Sequence, residues 1–136
     1  WSKRGAFYYG RYCLNRHMDF PATVQAIRTI RRLFPETLYV LIEDKANGTA
    51  VIDVLRKEIP GIIPVEPFGG KVVRAHATTA VAEAGNIYIP AASACPWVMD
   101  FVEEMAAFPS GAHDDQVDCY SQANAYYNDS TFDIRW

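Results

Sequence analysis

Three short apolar runs constrain this chain most: Leu38–Ile42 (LYVLI), Ile62–Val65 and Ile87–Ile89. Each is closed by turn-forming or polar residues, and each is separated from the next by a stretch with helical spacing. Continuous apolar runs of this length suit strands buried on both faces. Strands alternating with helices predict an α/β layer fold around a mainly parallel sheet. Periodicity goes no further, because it does not separate one α/β architecture from another.

The intervening segments supply the helices. Ala6–Asn15 (AFYYGRYCLN) is aromatic and β-favouring and reads as a further strand. Asp19-Phe20-Pro21 reads as a helix start, with an acidic cap and proline in the first turn. Val24, Ile27, Ile30 and Phe34 form the apolar stripe of that helix, and Pro35 ends it. Asn47-Gly48 reads as a turn, after which Thr49 caps a helix burying Val51, Ile52, Leu55 and Ile59. Gly69-Gly70 precedes a third helix with Val73, Ala77, Ala80, Val81 and Ala84 at helical spacing, closed by Gly85. A fourth helix follows Pro96 and buries Trp97, Phe101, Met105 and Val102. A last helix runs from about His113 to Tyr127, after the break at Pro109-Ser110-Gly111.

Composition narrows the classes. With 136 residues and 50% hydrophobic content, the chain has material for one soluble domain, 1–136, with a single core. No run approaches the roughly 18 apolar residues of a membrane span, and no signal peptide is visible. Cys13, Cys95 and Cys119 are odd in number and lack metal-ligand spacing, so they read as buried or half-buried thiols in a reducing cytoplasm. A formal net charge of -3 argues against a broadly basic nucleic-acid binder. It leaves room for an enzyme that holds cations between carboxylates and touches phosphate at few points. The chain begins at Trp1 rather than Met and reads as a piece of something longer.

Two acidic positions invite chemistry. Glu43 ends the run Leu38–Ile42, where α/β folds commonly place ligand-binding groups. The alternative is that the strand ends at Ile42 and Glu43 points into water. His113-Asp114-Asp115-Gln116-Val117-Asp118 puts three carboxylates within five residues at a helix start. Capping and the helix dipole explain one or two of them, but not Asp118. Asp115 and Asp118, or Asp114 and Asp118, share a helical face, and like charges there repel unless a cation neutralises them. Oxygen-only ligands favour magnesium or manganese, and a pair of such ions suits in-line attack on a phosphodiester. The rival reading is a solvated acidic helix start. His113 could orient a carboxylate, touch phosphate, or help cap the helix.

Gly69-Gly70-Lys71-Val72-Val73-Arg74 opens a helix whose N–H groups, with Lys71 and Arg74, could hold phosphate; a solvated helix start is the alternative. GxxxxGK[ST], GxGxxG and GxSxG are all absent, so nucleotide hydrolysis, dinucleotide binding and serine hydrolysis have no support.

Three segments together resemble the nuclease domain of phage terminase large subunits. They are Ile42-Glu43-Asp44-Lys45-Ala46-Asn47-Gly48, then Lys71-Val72-Val73-Arg74-Ala75 running to Glu83-Ala84-Gly85-Asn86-Ile87-Tyr88-Ile89-Pro90, then Phe108-Pro109 followed by His113–Asp118. Their order and spacing, with Trp97 and Phe101 between, carry the similarity over nearly the whole chain. The resemblance implies an RNase H-like three-layer fold, with a mixed sheet flanked by helices. It implies a metal-dependent endonuclease that cuts double-stranded, concatemeric phage DNA with a two-metal Mg2+ or Mn2+ site. The setting would be the bacterial host cytoplasm, for a phage or prophage protein, with the terminase small subunit and portal as partners of the full protein. Glu43 matches the family's second catalytic acid and Asp115 its third, with Asp114 and Asp118 as neighbours that could share the metal. Asp118 also stays in play as a catalytic acid, because related resolvases use acids one helical turn apart. Lys71 and Arg74 match basic positions facing DNA, and Lys45 and His113 join them as phosphate contacts.

The family's first catalytic aspartate lies on an earlier strand, and no residue before Tyr12 is acidic. The segment is therefore expected to lack the first strand, much of the second and a principal metal ligand. The family's ATPase motor has no counterpart in it. As given, it is expected to be a poor nuclease. Another RNase H-like nuclease (a resolvase or transposase core), a catalytically dead DNA-binding remnant, and a plain α/β module are the rival readings.

Overall fold

The computed structural model describes residues 1–66 and 69–128, arranged as two compact units, Arg16–Phe68 and Trp1–Asn15 with Gly69–Trp136. In chain order the elements are β1 (Ser2–Arg4), β2 (Phe7–Tyr9), α1 (Phe20–Leu33), β3 (Val40–Glu43), α2 (Asn47–Leu55), β4 (Ile62–Val65), α3 (Lys71–Glu83), β5 (Ile87–Tyr88), α4 (Trp97–Ala107) and α5 (Asp115–Asn128).

The unit Arg16–Phe68 holds α1, β3, α2 and β4. Asp19 caps α1, its carboxylate accepting from the Ala22 N–H at 2.9 Å, and Pro21 sits in the first turn as its fixed φ favours. β3 and β4 pair in parallel, Val40 against Ile62 through Glu43 against Val65. Val24, Val51 and Leu55 form the buried core, with Ile27, Ile42, Val54, Ile59 and Ile62 packed on it. The strand is shorter and wetter than the run LYVLI implies. Leu38 is 56% exposed, and pairing begins only at Val40, whose N–H donates to the Gly61 carbonyl. Gly61, at φ +80°, brings the returning chain so close that a Cβ would stand 2.1 Å from the Leu38 carbonyl oxygen.

In the other unit β1 and β2 form an antiparallel hairpin, and β2 pairs in parallel with β5, giving a mixed three-stranded sheet. The strand expected over Ala6–Asn15 is thus confined to Phe7–Tyr9 and preceded by a polar strand whose composition gave no signal. Strand alternation sends Tyr8 to one face and Phe7 and Tyr9 to the other. Tyr8 is buried, its hydroxyl on Asn128 Oδ1 and its ring against Tyr127, so that face looks onto α5. Trp1, Phe101 and Tyr120 make an aromatic cluster beside it, and Trp97 packs edge-on against Phe101.

The inner faces of α3 and α4 differ from those expected. On α3 only Thr78 is buried and Val73 is 68% exposed; Arg74, Ala75 and Val81 are the partly covered positions. On α4 the buried residues are Val98, Phe101 and Glu104, while Val102 is exposed. On α5 they are Gln116, Val117, Tyr120, Ser121 and Asn124, a face more polar than apolar. Where burial is carried by hydrogen-bonded polar groups, an apolar stripe misplaces it.

Candidate active site

The start of α5 is set by a carboxylate from another helix. Glu104, 9% exposed on α4, accepts the Gln116 backbone N–H at 2.6 Å and the Val117 N–H at 3.3 Å through Oε1. Its Oε2 accepts the Gln116 side-chain amide at 2.7 Å. The first N–H groups of a helix have no partner within it, so an anion there is stabilised by both hydrogen bonds and dipole. The Asp118 N–H donates to the Asp114 carbonyl at 3.0 Å, which places Asp114 at the cap and Asp115 in the first turn.

The three aspartates then meet different surroundings. Lys71 and Arg74 lie one turn apart at the start of α3 and reach α5 together. Arg74 Nη2 donates to Asp118 Oδ1 at 2.6 Å, and Lys71 Nζ stands 3.0 Å from Asp118 Oδ2 and 2.7 Å from Asp114 Oδ1. Arg74 Nη1 also donates to the Gly69 carbonyl at 2.9 Å, which fixes the guanidinium. The hydrogen bonds to Asp114 and then Asp118 hold the Lys71 ammonium well above the ordinary lysine range. Like-charge repulsion along α5 is met for Asp114 and Asp118 by these two side chains instead of by a divalent cation. Asp115 is exposed, and among the described residues no hydrogen bond or ion pair engages it. His113 is exposed beside it.

Glu43 and Lys45 belong to the other unit. Glu43 is the last residue of β3, as expected, in register with Val65, and Lys45 Nζ stands 3.5 Å from its Oε1. The chain leaves β3 through a turn tighter than the one expected. Asn47 and Gly48 are already helical, and Thr49 donates to Asp44 Oδ1 at 2.6 Å instead of capping α2. A Cβ on Gly48 would stand 1.9 Å from the Glu43 carbonyl oxygen, so only glycine fits. Ala46 at φ 47° takes the strain of this turn, and strained backbone of that kind concentrates at functional sites.

Carboxylate oxygens suit Mg2+ or Mn2+, and Mg2+ is commonly held through one or two carboxylates with water completing its shell. Asp115, exposed and unengaged, fits that role, as does Glu43 at a strand end. Asp118 fits poorly, since both its oxygens already meet cations. Among the described residues no group of three or more His, Cys, Asp or Glu is placed to hold a metal ion, so the α5 acids are not a cage by themselves.

The sequence model of the terminase RNase H-like domain matches residues 1–126. The chain belongs to this family. No curated protein and no solved structure gives a significant match. As a terminase RNase H-like domain it has the expected α/β class, with five helices and a mixed sheet among the described residues. Membership also covers every segment that carried the resemblance, from Glu43 through Asp118. Among the described residues no helix is long and apolar enough to cross a membrane.

Glu104 and Gln116 were missed in the sequence. The available sign was a glutamate lying within the apolar stripe Trp97–Phe101–Met105, where a lone charge needs donors.

Proposed function

We propose that this chain is the metal-dependent endonuclease domain of a viral DNA-packaging terminase, hydrolysing phosphodiesters of double-stranded DNA. One observation carries the reading: a terminase RNase H-like domain presents Asp115 exposed and unengaged on a helix start whose other acids are tied down. Asp115 and Glu43 are the proposed ligands of Mg2+ or Mn2+. When bound, the metal supplies Lewis acidity toward the phosphodiester and lowers the pKa of a coordinated water. Asp118 and Asp114 serve by fixing the half-exposed Lys71 and the nearly covered Arg74 at the start of α3, next to the acid that binds. Lys71 then offers compensated positive charge to a DNA phosphate, backed by the field of Arg74, with His113 and Lys45 as further phosphate contacts. In the packaging machine the domain would act beside the terminase small subunit and the portal.

A second reading rests on the same network. Since Lys71 and Arg74 neutralise two of the acids, the chain could bind DNA without cutting it. The two readings separate in a nicking assay on supercoiled plasmid with Mn2+. The nuclease reading expects slow nicking that EDTA stops and Asp115→Asn abolishes. Nicking indifferent to both would overturn it. DNA binding retained by a metal-loaded chain that never nicks would favour the second.

A further inference from the structure

We infer that Glu104 is a positioning residue for the acids of α5, acting through the helix start rather than on metal or DNA. The inference rests, in its metal arm, on the nuclease reading above.

Glu104 is nine-tenths buried and makes no ion pair among the described residues. A buried carboxylate without a counter-charge is costly unless several donors face it. Three do so: the Gln116 and Val117 backbone N–H groups and the Gln116 side-chain amide, with Asn15 Nδ2 at 3.5 Å from Oε2. Two of these are backbone groups of the first turn of α5, the turn that carries Asp115 and leads to Asp118 one turn on. A side chain on α5 itself could cap the helix, but would not tie its rotation to α4. Glu104 does so, because its two oxygens engage backbone and side chain of one residue, Gln116. With the helix held at that residue, Asp118 faces α3, where Arg74 and Lys71 meet it. Asp115 is left facing solvent. Groups that orient a metal ligand in this way contribute about tenfold or more to metal affinity although they never touch the ion.

The geometry also supplies a rescue. In Glu104→Gln the oxygen that still accepts the backbone N–H leaves the new amide nitrogen facing the Gln116 amide, donor against donor, which Gln116 relieves only by turning its amide over and giving up the Cys13 thiol that its Oε1 accepts at 3.2 Å. In the double variant Glu104→Gln/Gln116→Glu, the carboxamide at 104 donates to the carboxylate at 116 and its oxygen still accepts the backbone N–H.

The test uses the whole chain and two readouts. Amide hydrogen exchange at Gln116 and Val117 reports the cap, and titration with Mn2+ alone reports the site. Glu104→Gln is expected to speed exchange at both amides about tenfold or more and to weaken Mn2+ binding about tenfold. The double variant is expected to restore both toward wild type. Unchanged exchange in Glu104→Gln would show that the cap is not made. Faster exchange with unchanged Mn2+ affinity would make Glu104 structural only and overturn the inference. A wild-type chain that takes up no Mn2+ defeats the nuclease reading and the metal arm together, and exchange with its rescue then decides the cap alone.

Discussion

Neutralising Asp118 should cost the fold far more than neutralising Asp115, although the two lie one turn apart. Asp118 and Arg74 are nearly covered, with side-chain exposures of 16% and 15%, and their oxygen and nitrogen stand 2.6 Å apart. Replacing the carboxylate by an amide removes a charge-assisted hydrogen bond worth about 1.5–3 kcal/mol. The second contact, to a Lys71 that is 47% exposed, adds at most about 1 kcal/mol. Arg74 keeps the Gly69 carbonyl and Lys71 keeps Asp114, so the loss stops short of that for a stranded buried charge. Asp118→Asn should therefore destabilise by about 2–3 kcal/mol, or about 10 °C in Tm for a chain of this size. Asp115→Asn should stay within about 1 kcal/mol, the worth of an acid in a first helical turn. Urea unfolding of both variants measures this, with a double-mutant cycle through Arg74→Met to isolate the pair. Equal losses for the two, or a cycle coupling below about 0.5 kcal/mol, would refute the assignment of Asp118 to the ion network.

Three other outcomes follow from the same geometry. Gly48→Ala should destabilise by about 2–3 kcal/mol through the clash with the Glu43 carbonyl, read in the same urea experiment; a neutral result would mean the turn can open. The Lys71 pKa is raised by Asp114 and Asp118, so its contribution is full below the unfolded lysine value of about 10.4 and is lost as pH rises through the higher folded value; Lys71→Met should lower the urea midpoint at pH 8, and a deficit confined to acid pH would contradict the linkage. Duplex DNA binding should be weak and indifferent to sequence, with a slope of log affinity on log salt no steeper than about -3, since Lys45, Lys71 and Arg74 offer few phosphate contacts. Tight binding that survives high salt would oppose this.

Much of the fold was legible because backbone rules act locally. Asp19-Phe20-Pro21 announces a helix start in any context, and the apolar runs around Ile42 and Ile62 pair as parallel strands. Glu43 could be placed at a strand end from its position after LYVLI. What escaped was fixed by partners distant in sequence. The contacts of Lys71 and Arg74 with Asp114 and Asp118 span more than forty residues. An acidic cluster and a basic pair therefore read as two separate sites when they form one network. Glu104 escaped for the same reason, since its donors arrive from the next helix. Val73, expected inside, is exposed because Arg74 takes the inward place on α3, and hydropathy does not foresee a largely covered guanidinium.

Metal binding by Asp115 and Glu43 is the central proposal. The decisive measurement is an equilibrium titration of the chain with Mn2+, read by electron paramagnetic resonance of the free ion, beside Asp115→Asn and Glu43→Gln. Saturable uptake by the wild-type chain is expected, and its loss in each variant, with both variants still folded. Uptake that never saturates, as for a merely solvated acidic helix start, would contradict it, as would a saturable site left intact without Asp115.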